Sequence, residues 1–477
     1  MALSLNTVFE VRGASGNDTN GGGFVTGAAG SDYSQQGAKN SGANDKSVTD
    51  GVTAGSTTVT SATANFGTTI VGNIIYISGG TGSITGGWYQ VTARGSSSSI
   101  TVDRSTGLTA GTGVTLNIGG ALATIQQALT NMTVQGMTTA VKADGTYSIS
   151  TGLTNGAGGA TTRTWIYGYT TARGDGGKVT IQASAAITML TQSQQGWVWE
   201  NFIFDGNSAT ATNGINHSNS NGATALINCV LKNFSGYGWN ANTNSSVVFA
   251  TMDRVEVTGC GGTAGINAST CNLTMSRCYI HGNTVPGVIV ASGGPAFNNG
   301  VFLSCIFANN SGATSDGLLI NNVPNVIRGC VFYNNGRDGL RLAMSGRSQA
   351  MGVVDNNIFS TNGAYGFNMS SGGSATIVFD TICNNAYYNN TTNPRNNFVA
   401  EAGAVTLTAD PFTSAGTDFT LNNTAGGGHA CKAAGVPGAL PTATGSGYAD
   451  IGVYRHQDPA GGGSLLVHPG MTGGMHG

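Results

Sequence analysis

Short apolar runs separated by polar turns recur along the middle of the chain at a nearly constant interval. From residue 197 onward the runs are "ENFIFDGN", "INCVLKNF", "DRVEVTGC", "SRCYIHGN", "LSCIFANN", "RGCVFYNN" and "DNNIFSTN". Taking Phe202, Cys229, Val255, Cys278, Cys305, Cys330 and Asn357 as equivalent, the steps are 27, 26, 23, 27, 25 and 27 residues. A second marker, a glycine followed by an apolar residue, advances with the first: Gly214-Ile215, Gly238-Trp239, Gly265-Ile266, Gly287-Val288, Gly317-Leu318, Gly339-Leu340 and Gly366-Phe367. Helical spacing is absent from these repeats, whose runs are short and rich in Val, Ile and Phe. A period of about 25 residues made of short strands and Gly/Asn turns predicts a β-solenoid, each coil hydrogen-bonded to the coils on either side.

Stacking gives several suggestive residues a plain role. Cys229, Cys278, Cys305 and Cys330 share one register and read as an inward ladder of small apolar side chains. Asn233, Asn283, Asn310, Asn335 and Asn362 fall near equivalent turns, where asparagine tolerates the left-handed conformation and hydrogen-bonds along a stack.

The flanks differ from the repeats. "GALATIQQAL", Gly120 to Leu129, has an amphipathic helical pattern, and a short helix there would cover the apolar end of the first coil. Before it, "STTVTSATANF", "IVGNIIYI", "GWYQVTARG", "SSITVDRS" and "GVTLNI" predict five short strands joined by Gly and Ser turns. The expected organisation is all-β. Residues 1–24 and 119–150 form an N-terminal cap, 25–118 an inserted small antiparallel β module, and 151–425 a parallel β-helix. A closing segment, 426–457, and a glycine-rich tail or arm, 458–477, complete it.

Composition agrees with this and excludes some partners. Of 477 residues 77 are Gly, only 8% are charged, and the formal net charge is -2. So sparse and balanced a charge offers no basic stripe for nucleic acid. No apolar run has the length needed to span a bilayer, and "MALSLNTVFEVRG" lacks the pattern of a secretory signal. Nucleic acid and membrane are therefore not expected partners. The eight cysteines show neither CxxC pairs nor zinc-ligand spacing, so buried, reduced thiols are expected and no metal or cofactor is implied.

The opening "GNDTNGGGF" with "ATIQQAL", the repeat words and the closing "DPF…DFTLNN…ADIGVY" together resemble right-handed parallel β-helix proteins of the pectate-lyase-like fold. Among these the chain is most similar to β-helical virion proteins of tailed bacteriophages, capsid-decorating or spike-like, and "TSATANF", "GNIIYISGG" and "GWYQVT" add to that likeness. The resemblance implies a homotrimer in the virion, assembled in the host cytoplasm. Its partners would be major capsid or tail proteins, with host-surface polysaccharide as a further partner.

The fold's enzymes act on polysaccharides, so the carboxylates decide whether catalysis is credible. Asp316 in "SDGLLI" and Asp338 in "RDGLRL" both precede a marker glycine, which would place them about one coil spacing apart, near the separation of a retaining glycosidase pair. Arg337 and Arg341 flank the second, so the group could hold an acid, a nucleophile and a cation, or a calcium ion. Asp355, Asp380, Asp253 and Glu200 read as sharing that offset on other coils. Against catalysis, the same position holds Asn213, Tyr237, Ala264, Pro286 and Tyr365 elsewhere, as a solvated turn would. The polygalacturonase-type motifs are not intact: "FDGN" and "IHGN" are fragments, and His281 reads as a turn residue. Trp88, Trp165, Trp197, Trp199 and Trp239 could supply a sugar-stacking surface or fill a core. The expectation is a structural virion protein, with a tailspike-like depolymerase or a glycan-binding adhesin as the alternatives.

Overall fold

The computed structural model describes residues 3–27, 46–156, 162–208, 210–218, 223–241, 248–269, 271–291, 299–321, 324–344, 352–371, 381–396, 401–436 and 449–453. The expected tail, 458–477, and Asp380 lie outside these residues. The chain divides into two compact units, Met1–Gln182 with Gln192–Ile203, and Ala183–Thr191 with Phe204–Gly477.

The second unit carries the repeat. Its strands fall into three parallel stacks, visited in turn by each coil. One runs from Ala223–Ile227 to Thr381–Cys383, the next from Val230–Lys232 to Val405–Thr406, and the third from Asn213–His217 to Asn393–Asn396. This is a parallel β-solenoid of about eight turns and about 27 residues per turn. Both sequence markers are structural registers. Ile215, Trp239, Ile266, Val288, Leu318, Leu340 and Phe367 pair in sequence across the third stack. The glycine before each is required by closeness: a Cβ on Gly317 would lie 2.7 Å from the Gly339 carbonyl, and one on Gly339 2.6 Å from that of Gly366.

The interior is sorted into columns. Phe307, Phe332, Phe359 and Tyr387 stack with centroids 5.0, 4.9 and 5.3 Å apart and planes within 13° of parallel. Asn283, Asn310, Asn335, Asn362 and Asn390 form a ladder in which each Nδ2 donates to the next Oδ1 at 2.8 to 3.0 Å. The ladder matches the expected stacking, but the expected left-handed backbone does not. Of the five asparagines singled out, only Asn233 has positive φ; for the other four the left-handed residue is the one before, Gly282, Asn309, Asn334 and Thr361. Bending the chain at that residue turns the following asparagine inward, where burial makes its amide pairing obligatory.

The cysteine ladder is also inward. Cys229, Cys278, Cys305 and Cys330 are buried, and no cysteine forms a disulfide. Burial pushes the thiols of Cys260 and Cys431 up to about 12 and raises those of Cys271, Cys278 and Cys305 as well, which suppresses the reactive thiolate. Native protein titrated with a thiol reagent at pH 8 should therefore show at most one fast group, the partly exposed Cys383, and all eight after guanidinium. Rapid reaction of several thiols in the native state would contradict the ladder.

C-terminal residues cross the outward face of the middle stack. The hairpin Phe412–Ser414 with Asp418–Leu421, the short helix Gly428–Cys431 and Ile451 cover Ile306, Val331, Ile358 and Ala386. That explains apolar residues on strand positions that would otherwise face water.

In the first unit, Thr7–Arg12, Thr138–Lys142, Thr164–Tyr169 and Trp197–Glu200 pair in parallel in that order. The helix spans Ile125–Asn131, and its N-cap Thr124 accepts the Gln127 N–H at 3.1 Å. Its buried Ile125, Ala128 and Leu129 are the predicted apolar stripe. The inserted module is a closed antiparallel barrel of six strands, not five: Lys46–Ala54, Thr58–Thr60, Ile74–Ser78, Gly87–Ser96, Ser99–Val102 and Ala110–Ile118. Among the described residues no helix is long and apolar enough to cross a membrane.

Candidate functional site

Asp316 and Asp338 sit on successive coils, each just before a strand of the third stack, Leu318–Asn321 and Leu340–Met344. Both are buried, which corrects the expectation of a solvated turn. Arg337 holds Asp316 bidentately, Nε to Oδ1 at 2.7 Å and Nη2 to Oδ2 at 2.5 Å. The Asp338 N–H also donates to Asp316 Oδ1 at 3.2 Å. Asp338 accepts the Tyr365 N–H at 3.0 Å and the Asn368 amide at 2.7 Å, with Arg337 Nε 4.0 Å away. Arg341 does not join them; its Nε donates to Ser370 Oγ at 3.2 Å.

The bond between Asp316 and Asp338 recurs on other coils. The side chain at this turn accepts the backbone N–H of the equivalent residue one coil on: Asn213 from Tyr237 at 3.0 Å, Asp316 from Asp338, and Asp338 from Tyr365. Ala264 cannot accept, but the residue one coil on is Pro286, which has no N–H to satisfy. Where an Asn or Asp occupies this position, at 213, 316 and 338, it therefore serves as the acceptor for the N–H of the next coil.

Burial raises the Asp316 carboxyl above its ordinary range, and the Arg337 guanidinium opposes that rise. The bond to Asp316 in turn raises Arg337. A buried carboxyl held by two guanidinium nitrogens and a backbone N–H has both oxygens engaged, so the pair is a clamp between coils. Among the described residues no group of three or more His, Cys, Asp or Glu side chains comes together to hold a metal ion.

The other carboxylates expected at this offset lie elsewhere. Asp253 and Asp355 end strands of the first stack, where Asp253 is bound by Arg254 and Arg277 and Asp355 bidentately by Arg328 at 2.7 Å. Glu200 ends Trp197–Glu200 in the first unit. His281 ends a strand rather than occupying a turn, with Nε2 3.1 Å from Glu256 Oε1.

One cluster in the first unit carries no signal in the sequence. Glu10, fully buried, is bound by Arg12 and Arg173, each at 2.8 Å, and receives the Tyr169 hydroxyl. On the same sheet Trp165, one of the tryptophans expected to stack on sugar or fill a core, is 42% exposed, while Trp197, Trp199 and Trp239 are fully buried. Trp88 is partly buried, its Nε1 donating to the Asn20 carbonyl at 3.0 Å. Of the five tryptophans only Trp165 presents a ring to solvent to this extent, and its Nε1 donates to Glu200 Oε2 at 3.1 Å.

Residues 213–399 match the family described as "Right handed beta helix region". No curated protein matches the chain in sequence. Among solved structures the chain is similar to pectate lyase Pel9A, with 13% identity, TM-score 0.42, and 71% of this chain and 92% of that one covered. It is similar to the A-module of the Azotobacter vinelandii mannuronan C-5 epimerase AlgE4, with 13% identity, TM-score 0.37, and 58% and 94% covered. It is also similar to ORF18 of Geobacillus virus E2, with 12% identity, TM-score 0.33, and 60% and 57% covered. At such identities the likeness is one of fold.

Proposed function

We propose that the chain is a non-catalytic structural protein of a tailed-phage virion, a homotrimer that decorates the capsid and binds its neighbouring subunits. The observation that carries the non-catalytic part is the state of Asp316 and Asp338: both are buried, and their oxygens are given to Arg337, Asn368 and backbone N–H groups. A general acid or nucleophile has to reach substrate, and these do not. The virion part is supported by the likeness of "TSATANF", "GNIIYISGG" and "GWYQVT" to phage proteins. Mass spectrometry of purified particles should find the chain at fixed stoichiometry, and sedimentation of the recombinant protein should give a trimer. Absence from particles, or a monomer, would overturn the respective part.

A second reading, a glycan-binding adhesin, is favoured by the exposed Trp165. The depolymerase alternative is tested by incubating the protein with host-surface polysaccharide. No new reducing ends or unsaturated sugars are expected. Release of either, abolished by Asp316→Asn or Asp338→Asn, would restore the catalytic reading.

A further inference from the structure

We infer that Trp165, Tyr167 and Glu200 form a binding subsite for a neutral pyranose unit on the outward face of the first unit's parallel sheet. The inference rests on the glycan-binding reading and gives it a site and a sugar class.

Alternation along Thr164–Tyr169 sends Thr164 and Ile166 inward and leaves Trp165 and Tyr167 on the outer face. The two are about 7 Å apart along the strand. Tyr167 pairs in register with Glu200 on the adjoining strand, at the spacing of about 4.8 Å between neighbouring strands. The three side chains thus span an area about the size of one sugar ring.

Each offers something that the protein does not use. The indole face is open, and its N–H is tied to Glu200 Oε2, which fixes the ring's orientation. Among the described residues, Glu200 Oε1 and the Tyr167 hydroxyl have no hydrogen-bond partner, and both residues are only half-buried. An apolar face beside two free polar atoms complements a pyranose, whose C–H face stacks on an aromatic ring while its rim hydroxyls donate to a carboxylate and exchange hydrogen bonds with a phenol.

Charge selects among sugars. The carboxylate of Glu200 is bonded to the Trp165 indole N–H, so it repels a uronate bound against that ring. The guanidiniums of Arg12 and Arg173 are already engaged by Glu10. Arg173 lies close enough to Tyr167 to act on its hydroxyl, and Glu10, which holds Arg173 at 2.8 Å, acts on it in the opposite sense; Arg163 precedes the strand, and Lys142 lies on the row of Tyr169. A neutral sugar is therefore the expected occupant.

The test titrates the full-length chain with maltohexaose, cellohexaose, mannohexaose and hexagalacturonate by calorimetry. At least one neutral hexasaccharide should bind, and more tightly than hexagalacturonate. Trp165→Ala and Glu200→Gln should each weaken that binding by roughly tenfold or more, with Trp165→Phe retaining most of it. Unchanged circular dichroism would show that the variants fold. If sugars bind but Trp165→Ala has no effect, or if hexagalacturonate binds best, the site is wrong while the adhesin reading stands. If none of the four binds, both fall.

Discussion

Replacing Arg337 by alanine should destabilise the β-helical unit by about 3–5 kcal/mol at neutral pH, one of the two largest single-residue effects expected in this chain. The reason is the partner left behind. Asp316 is fully buried and is held by both Nε and Nη2 of Arg337, so the truncation strands a carboxylate with only the Asp338 N–H for compensation. The loss should also depend on pH. Burial already raises the Asp316 pKa, and Arg337 is what holds it down. Without Arg337 the folded-state pKa rises further above the unfolded value. A group with a raised folded pKa stabilises fully below its unfolded pKa and loses that contribution as pH rises through the folded one. Urea denaturation should therefore show a smaller gap between wild type and Arg337→Ala at pH 4 than at pH 7. An equal or larger gap at pH 4 would contradict the assignment.

Phe332→Ala should have a comparable effect, about 3–5 kcal/mol. Phe332 is fully buried between Phe307 and Phe359, stacked within 9° of parallel on both. The cavity cannot close easily, because the rings on either side are held at the coil spacing by strand pairing at Phe307, Phe332 and Phe359. In a solenoid each coil is supported chiefly by its neighbours, so the damage should be local. Hydrogen exchange should accelerate at 306–308, 331–333 and 358–360 and stay unchanged in the barrel strands of 46–118. A loss below about 1 kcal/mol, or uniform acceleration, would mean that the column is not a coupled unit.

The columns were legible in the sequence because stacking repeats a chemical requirement at every coil. The marker glycines, the cysteine register and the asparagine ladder each announce themselves by recurrence. What recurrence hides is a requirement that varies with the neighbouring coil. Asp316 looked catalytic and its position looked solvated, since Asn, Tyr, Ala and Pro also occur there; what the spacing did not show is that an Asn or Asp at that position turns its side chain to the N–H of the next coil. The sixth barrel strand, Lys46–Ala54, was missed for a different reason. Its "DG" at Asp50 and Gly51 reads as a turn, but Gly51 lies at an irregularity in the pairing with Ala110–Ile118, and a Cβ there would come within 2.7 Å of the Val114 carbonyl.

Long-range pairings left no sequence signal at all. Nothing in "FEVR" shows that Glu10 will meet Arg173 and Tyr169, and nothing in "RTWIYGY" separates Trp165 from the buried tryptophans except alternation once the strand's inward side is known. The apolar residues Ile306, Val331 and Ile358 were assigned to strands, yet the C-terminal hairpin that covers their outward face could not be read from a repeat to which it does not belong.

The residues most like an active site serve the framework, and a double-mutant cycle on Asp316 and Arg337 measures this. Asp316→Leu, Arg337→Met and the double variant are compared with wild type by urea denaturation. Each single change should be severely destabilising and the double variant should recover most of the loss, with a coupling energy on the order of 2 kcal/mol or more. Additive effects, agreeing within about 0.5 kcal/mol, would show that the two residues are not clamped together and would contradict it.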